Sequence, residues 1–153
     1  MTTQPTFDKE TAHKYFSANC FNAAWEYIDK SDRTDDESQR MISLTHASVW
    51  HWTQRSDCAP KNLSIGYWQL SRVYALACQA ENAKRYAKLC LDISPDDELF
   101  LLGYAHEAMA RAEMVTGNQE KMTEHLAEAK RLAECIADAQ DKELLINDLG
   151  TIH

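Results

Sequence analysis

The sequence contains very little glycine and proline, with 4 Gly and 3 Pro in 153 residues. An all-β fold of this length needs many tight turns, and tight turns depend on these two residues. Hydrophobic residues make up 44% of the chain, which is enough for one core and too much for a mostly disordered chain. The composition therefore predicts a single all-α domain over residues 1–153.

The chain also lacks the marks of a membrane-bound or secreted protein. No apolar run approaches the roughly 18 residues of a membrane-spanning helix. The N-terminal MTTQPTFDKE has no basic region followed by an apolar one. The five cysteines are widely spaced without a CxxC pair, which suits a reducing compartment. We therefore expect a cytoplasmic protein with no membrane partner.

Positive charge is scarce as well. There are 16 Lys and Arg against 24 Asp and Glu, a net charge of -8, and no basic cluster exceeds two residues. Nucleic-acid binding depends on neutralising phosphates with Lys and Arg, so we expect no nucleic-acid partner. No nucleophile elbow, P-loop or HExxH motif occurs. The sequence thus predicts no cofactor, no catalytic residue and no metal ligand.

Apolar residues recur at three- and four-residue spacing through six or seven segments, which is typical of amphipathic helices. The first two helices are expected to form an N-terminal hairpin over 8–56, with Thr34 and Glu37 as a capping box at the start of the second. The third helix is expected to begin near Leu63. Pro95 is expected in the first turn of the fifth helix, and a short C-terminal helix is predicted over 141–150.

The segment 63–97 resembles a tetratricopeptide repeat. The residues that carry the resemblance are Tyr67, Leu70, Ser71, Tyr74, Ala83, Ala87, Cys90 and Pro95. Gly117-Asn118 resembles the inter-helix turn of a second, looser repeat. The resemblance implies stacked antiparallel helical hairpins over 63–138 and a groove that binds a protein or peptide; a plain helical bundle is the alternative. The segments Phe21–Lys30 and Thr45–Trp52 are similar to small bacterial proteins of unassigned function, which adds no chemistry.

Aromatic and basic residues concentrate near the end of the second helix and along the third. If these helices pack antiparallel, several of the side chains approach one another near the base of the connecting loop. The candidate contact surface consists of Trp50, His51, Trp52, Arg55, Tyr67, Trp68 and Arg72. Trp68 and Arg72 lie one turn apart and can form a cation–π pair. We expect non-catalytic binding of a protein or peptide, or alternatively that these aromatics fill the core. A homodimer through an apolar helix face is a further hypothesis.

Two enzymatic alternatives stay open. Arg40 and His46 form an R-x5-H pair that resembles the motif of the helical-bundle ribonucleases called HEPN domains, which implies an open, positively lined cleft. A metal hydrolase would instead use His46, His51 and His106. That alternative requires the three histidines to converge, although His46 and His51 diverge by roughly 140° around one helix.

Overall fold

The computed structural model describes residue 3 and residues 6–153, and in that part of the chain it contains seven α-helices and no β-strand. The helices are α1 Lys9–Ile28, α2 Asp35–Thr53, α3 Pro60–Leu76, α4 Ala80–Ile93, α5 Leu99–Thr116, α6 Gln119–Glu134 and α7 Ala139–Leu149. The all-α class and the expected helix number are confirmed. None of these seven helices is both long and apolar enough to cross a bilayer.

Side-chain caps explain where several helices begin. Thr34 and Glu37 form the expected capping box at α2: the Glu37 N–H donates to Thr34 Oγ1 (3.2 Å), and the Thr34 N–H donates to Glu37 Oε2 (3.0 Å). Asp8 and Asp138 cap α1 and α7 in the simpler way, each accepting from a backbone N–H of the first turn. These contacts satisfy N–H groups that have no partner inside the helix.

Two helices begin earlier than the sequence predicts. α3 starts at Pro60 instead of Leu63, because proline at the first helical position lacks only an N–H that would be unpaired anyway. Asn62 supports this start, since its side-chain oxygen accepts from the Ala59 N–H (2.9 Å). α7 starts at Ala139, two residues before the expected boundary.

The expected position of Pro95 inside the fifth helix is wrong. Ser94 is extended (ψ 128°), as the residue before a proline prefers to be. The Glu98 N–H then closes a turn on the Pro95 carbonyl (3.2 Å), and α5 begins only at Leu99. The Ser94 hydroxyl is held between Cys90 and Ser64, so this connection is fixed by buried hydrogen bonds.

Consecutive helices pack as the hairpins α1–α2, α3–α4 and α5–α6, and each hairpin packs on the next. The first helices of the hairpins also touch, α1 against α3 and α3 against α5. Gly66 permits a close approach of α2 and α3, because a Cβ there would lie only 2.8 Å from Val49 Cγ2. α7 packs on α5 and α6 and buries Leu145 and Leu149.

α5 is the central helix of the stack. Its buried positions are Gly103, Tyr104, Ala105, Glu107, Ala108, Met109, Ala110, Arg111, Ala112 and Glu113. The small residues among them let the flanking helices approach closely. Glu107 and Glu113 are also buried, although an unpaired buried charge is costly.

Candidate functional site

An open hollow of about 280 Å³ lies between α1, α3, α5 and α7. Its walls are predominantly apolar, with the hydroxyl residues Ser64 and Tyr104 and the carboxylate of Asp148 among them. The lining residues are Trp25, Ser64, Ile65, Trp68, Phe100, Leu101, Tyr104, Leu144 and Asp148. Leu144 is 54% exposed and Ile65 is 40% exposed, so large apolar side chains face the solvent at two edges of this hollow.

A second hollow of about 190 Å³ adjoins the first. It is lined by Ala18, Phe21, Asn22, Trp52, Asn62 and Ile65. Ile65 borders both hollows, and Phe21 and Trp25 stand one turn apart on α1. We call the combined surface the apolar groove. It is elongated, because the two hollows follow one another along α1 and α3.

Four aromatic rings form a connected wall of the larger hollow. Trp25 and Trp68 lie 5.9 Å apart between ring centroids, and Trp68 meets Tyr104 nearly edge-on at 5.4 Å. Phe100 meets Tyr104 in the same way at 5.0 Å. Such tilted and edge-to-face contacts are the preferred packing of aromatic rings, so the wall is held by its own contacts.

A buried carboxylate holds the Trp68 ring in place. The Glu107 side chain is 1% exposed, and its Oε2 accepts a hydrogen bond from Trp68 Nε1 (2.8 Å). Its Oε1 accepts from Arg111 Nε (2.7 Å) and Arg72 Nη2 (3.1 Å). Charge-assisted bonds of this kind are short and directional. Glu107 therefore links α3 to α5 beneath the groove.

The same network extends to α7. Arg111 Nη2 donates to the Asp148 carbonyl (3.2 Å) and to Thr151 Oγ1 (2.7 Å). Tyr104 donates its hydroxyl proton to Asp148 Oδ2 (2.7 Å). Burial, reinforced by the Asp148 charge, raises the pKa of Tyr104 far above its usual range, so the phenol stays protonated and remains a donor.

Two of the seven predicted contact residues line the groove, and a third supports one of them from beneath. Trp52 lines the smaller hollow and Trp68 the larger. Arg72 lies beneath Trp68, with its guanidinium carbon 5.2 Å from the ring centroid, so the expected cation–π pair is present. Arg72 is also tied to Glu107, which makes it part of the support of the groove.

The other four predicted residues do not line the groove. Arg55 stacks on Trp52 at 3.7 Å and pairs with Asp57. Tyr67 stacks against Tyr86, and the His51 ring lies beside Phe16. Trp50 is 60% exposed. The seven residues therefore do not form one surface, because successive residues of a helix point in different directions.

Sequence reasoning missed most of the groove. Trp25 lies on α1, Phe100 and Tyr104 lie on α5, and Leu144 and Asp148 both lie on the short C-terminal helix α7. Two sequence signals were available: Trp25 widens the apolar face of the first helix, and Leu144 is one of the apolar residues of the last helix. Nothing in a single sequence shows that these residues converge.

Arg40 and His46 are not brought together. Arg40 is exposed on α2 and pairs with Asp36 one turn before it (2.8 Å). His46 Nε2 lies 2.8 Å from the Tyr74 hydroxyl, and the ring packs edge-on against Tyr74 and Tyr86. Burial lowers the pKa of His46. The two side chains face different neighbours, so they do not line the shared cleft that a nuclease of this kind requires.

The three histidines of the metal alternative also have separate partners. His51 Nδ1 lies 2.8 Å from His13 Nδ1, and His106 Nδ1 lies 3.1 Å from His125 Nδ1. His46 contacts Tyr74 instead. Over residue 3 and residues 6–153, no group of three or more His, Cys, Asp or Glu side chains is placed to hold a metal ion.

The apolar groove, with its aromatic wall, its carboxylate at Asp148 and its buried support at Glu107, is the strongest candidate site of this chain. Its elements come from α1, α2, α3, α5 and α7. No protein-family model matches the chain, and no curated protein or solved structure is significantly similar to it.

Proposed function

We propose that this protein is a non-catalytic binding protein whose apolar groove receives a segment of another protein, and that the preferred segment is a basic amphipathic helix. The observation that carries the proposal is the position of Ile65 between two adjoining hollows. An amphipathic helix offers apolar side chains about one turn apart, which suits a row of hollows between helices. A single enclosed pocket would suit a small molecule better.

The charge around the groove favours a basic partner. Asp96, Asp97 and Glu98 are exposed just before the start of α5, two residues ahead of Phe100. A hydrogen bond of 2.8 Å between Ser94 and Ser64 holds that connection beside the groove. Glu143 is exposed next to Leu144. Lys61, one turn before Ile65, is a cation on the same side. With a net charge of -8, the protein attracts a basic segment and repels an acidic one.

A tetratricopeptide-like assignment of residues 63–138 is part of this proposal. It is supported by the successive hairpins α3–α4 and α5–α6 and by the contribution of α3 and α5 to the groove. The acidic net charge argues against a nucleic-acid partner.

A cytoplasmic location is a further part of the proposal. All five cysteines are free, and Cys78 and Cys135 are exposed. Exposed thiols without a disulfide partner suit a reducing compartment.

Synthetic peptides of leucine and lysine test this proposal. A helical peptide of about 16 residues, roughly 24 Å long, would carry leucine on one face and lysine on the other. The two comparison peptides replace lysine by glutamate or scramble the leucine spacing. We expect saturable binding of the helical leucine–lysine peptide in fluorescence anisotropy, and binding at least about tenfold weaker, or about 1.4 kcal/mol, for both comparison peptides.

Two matched variants locate the binding. Ile65→Asn removes the apolar ridge of the groove, and Ile146→Asn makes the same change on α7 outside the lining residues, at nearly equal exposure (40% and 41%). We expect Ile65→Asn to weaken peptide binding about tenfold or more and Ile146→Asn to leave it unchanged. Equal affinity of the two variants, or equal affinity for the lysine and glutamate peptides, contradicts the proposal.

A second copy of this chain is the rival occupant of the groove. Sedimentation of the protein alone distinguishes it: self-association that Ile65→Asn abolishes would assign the groove to a homodimer and overturn the proposed partner. A monomer that still binds the leucine–lysine peptide supports the proposal.

A further inference from the structure

We infer that Asp148 and the four aromatic rings of the larger hollow form a subsite for an alkylammonium group, such as the end of a lysine side chain. The inference rests on the proposed function, because it names the side chain by which a bound segment is anchored. Its basis is the combination of one available carboxylate oxygen with a wall of aromatic rings in a single open hollow.

The aromatic wall suits a cation with an apolar stem. Trp25, Trp68, Phe100 and Tyr104 all line the hollow. The faces of aromatic rings attract ammonium groups at distances up to about 6 Å, most strongly for tryptophan. The methylene stem of a lysine gains from burial against the same rings. The hydrogen bond from Trp68 Nε1 to Glu107 fixes the orientation of this ring.

Asp148 supplies the hydrogen-bond acceptor. Its Oδ2 is engaged by the Tyr104 hydroxyl (2.7 Å). Its Oδ1 forms a longer ion pair with Arg72 Nη2 at 3.7 Å, which is beyond hydrogen-bond distance. The side chain is 30% exposed and lines the hollow. Within the described part of the chain, Oδ1 therefore accepts no hydrogen bond and can accept one from a ligand.

The geometry favours an ammonium over a guanidinium. Arginine recognises carboxylates best with two parallel bonds, which need both oxygens. An ammonium is a compact donor that needs only one. Because the Tyr104 bond occupies the second oxygen of Asp148, lysine fits this subsite better than arginine does.

The local charge is compatible with an added cation. The carboxylates of Glu107 and Asp148 balance the guanidiniums of Arg72 and Arg111. Arg111 does not line the hollow, and its guanidinium bonds Glu107, the Asp148 carbonyl and Thr151. The exposed residues 96–98 at the rim add negative charge without a basic residue among them, so a ligand cation meets a net negative surface.

The test is a double comparison of ligand and protein. The leucine–lysine peptide is given one lysine in the middle of its apolar face, and its partner peptide carries the neutral norleucine there. Asp148→Asn removes the charge but keeps an oxygen that can accept from Tyr104, and Asp92→Asn, exposed on α4, is the matched control. By calorimetry we expect the lysine peptide to bind Asp148→Asn about tenfold more weakly than it binds the unchanged protein. The norleucine peptide should bind both proteins equally well.

A second variant keeps the test decisive if Asp148→Asn folds poorly. Tyr104→Phe removes the hydroxyl that occupies Oδ2, so we expect it to bind the lysine peptide at least as tightly as the unchanged protein. Circular dichroism of both variants establishes folding. If Tyr104→Phe binds the lysine peptide no more tightly than the norleucine peptide, the inference is contradicted.

Small probes distinguish a peptide lysine from a free amine. n-Butylammonium and 1-butanol differ in charge and little in size. If both peptides bind equally tightly and independently of Asp148, the alkylammonium subsite is refuted while the peptide-binding groove stands. If butylammonium binds through Asp148 but neither peptide binds, the subsite is supported and the proposed function is overturned. If no probe binds, both are wrong.

Discussion

At the scale of single residues, α5 carries charged side chains into the interior. Glu107 is stabilised there by two guanidiniums and an indole N–H. Glu113 is equally buried, with Lys84 Nζ 3.0 Å from its Oε1, but neither of its oxygens makes a well-aligned hydrogen bond. Glu107 is therefore the better paired of the two buried carboxylates.

Glu107→Gln should destabilise the protein by about 3 kcal/mol, because two partly buried guanidiniums then lose their counter-charge. Urea unfolding followed by circular dichroism measures this. Glu128→Gln is the matched control, since Glu128 also bonds an arginine, Arg131, but does so at the surface. Its substitution should change the midpoint little. Equal effects of the two substitutions would mean that the Glu107 network adds no stability.

At the scale of elements, α3 and α5 end in the same way with different residues. The Gln79 N–H bonds the Tyr74 carbonyl (2.9 Å), and the Asn118 N–H bonds the Glu113 carbonyl (3.0 Å), the pattern of a Schellman motif. α5 places Gly117 at the left-handed position (φ 84°), and α3 places Cys78 there (φ 57°). A side chain at this position is strained, whereas glycine is not.

Cys78→Gly should therefore stabilise the protein, by up to about 1 kcal/mol. Cys135→Gly makes the same change at another exposed helix end, where the backbone is right-handed (φ -89°). There glycine should destabilise by roughly 0.5 to 1 kcal/mol because it adds freedom to the unfolded chain. Thermal unfolding of both variants measures the difference. A loss of stability in Cys78→Gly would show that its side-chain contacts outweigh the strain.

At the scale of the whole molecule, histidines on three helices couple stability to pH. The pKa values of His46, His51, His106 and His125 are all lowered, chiefly by burial. The neighbouring His13 lowers the pKa of His51 further, and His125 lowers the pKa of His106 further. In the unfolded chain these groups titrate near 6.5, so below that pH the unfolded state binds protons that the folded state resists.

Stability should accordingly be highest above about pH 6.5 and fall as the pH drops to about 5.5. Urea midpoints measured across this range test the sign. The double variant His106→Gln and His125→Gln should lose about half as much stability over the same range, because two of the four histidines are gone. Glu128 and Arg131 near His106 keep their charges in this window, since the pKa of Glu128 is lowered and that of Arg131 raised. A flat pH profile would contradict the prediction.

The fold was largely predictable because its signals are local. Helical periodicity, the Thr34–Glu37 capping box and the Gly117-Asn118 turn each depend on residues a few positions apart. The errors at the starts of α3 and α5 are also local in origin. They arose because proline is compatible both with the first helical turn and with the turn before a helix, and the backbone of the preceding residue decides between them.

The sequence by itself therefore determined the helices, their order and the acidic charge of the molecule, since these follow from local patterns and composition. Only the tertiary structure decided the site. Trp25, Trp68, Tyr104, Leu144 and Asp148 come from four different helices, and Glu107 finds its partners on α3 and one turn along α5. Their convergence depends on how the hairpins stack and how α7 returns against α5, which is a long-range property that no local pattern encodes.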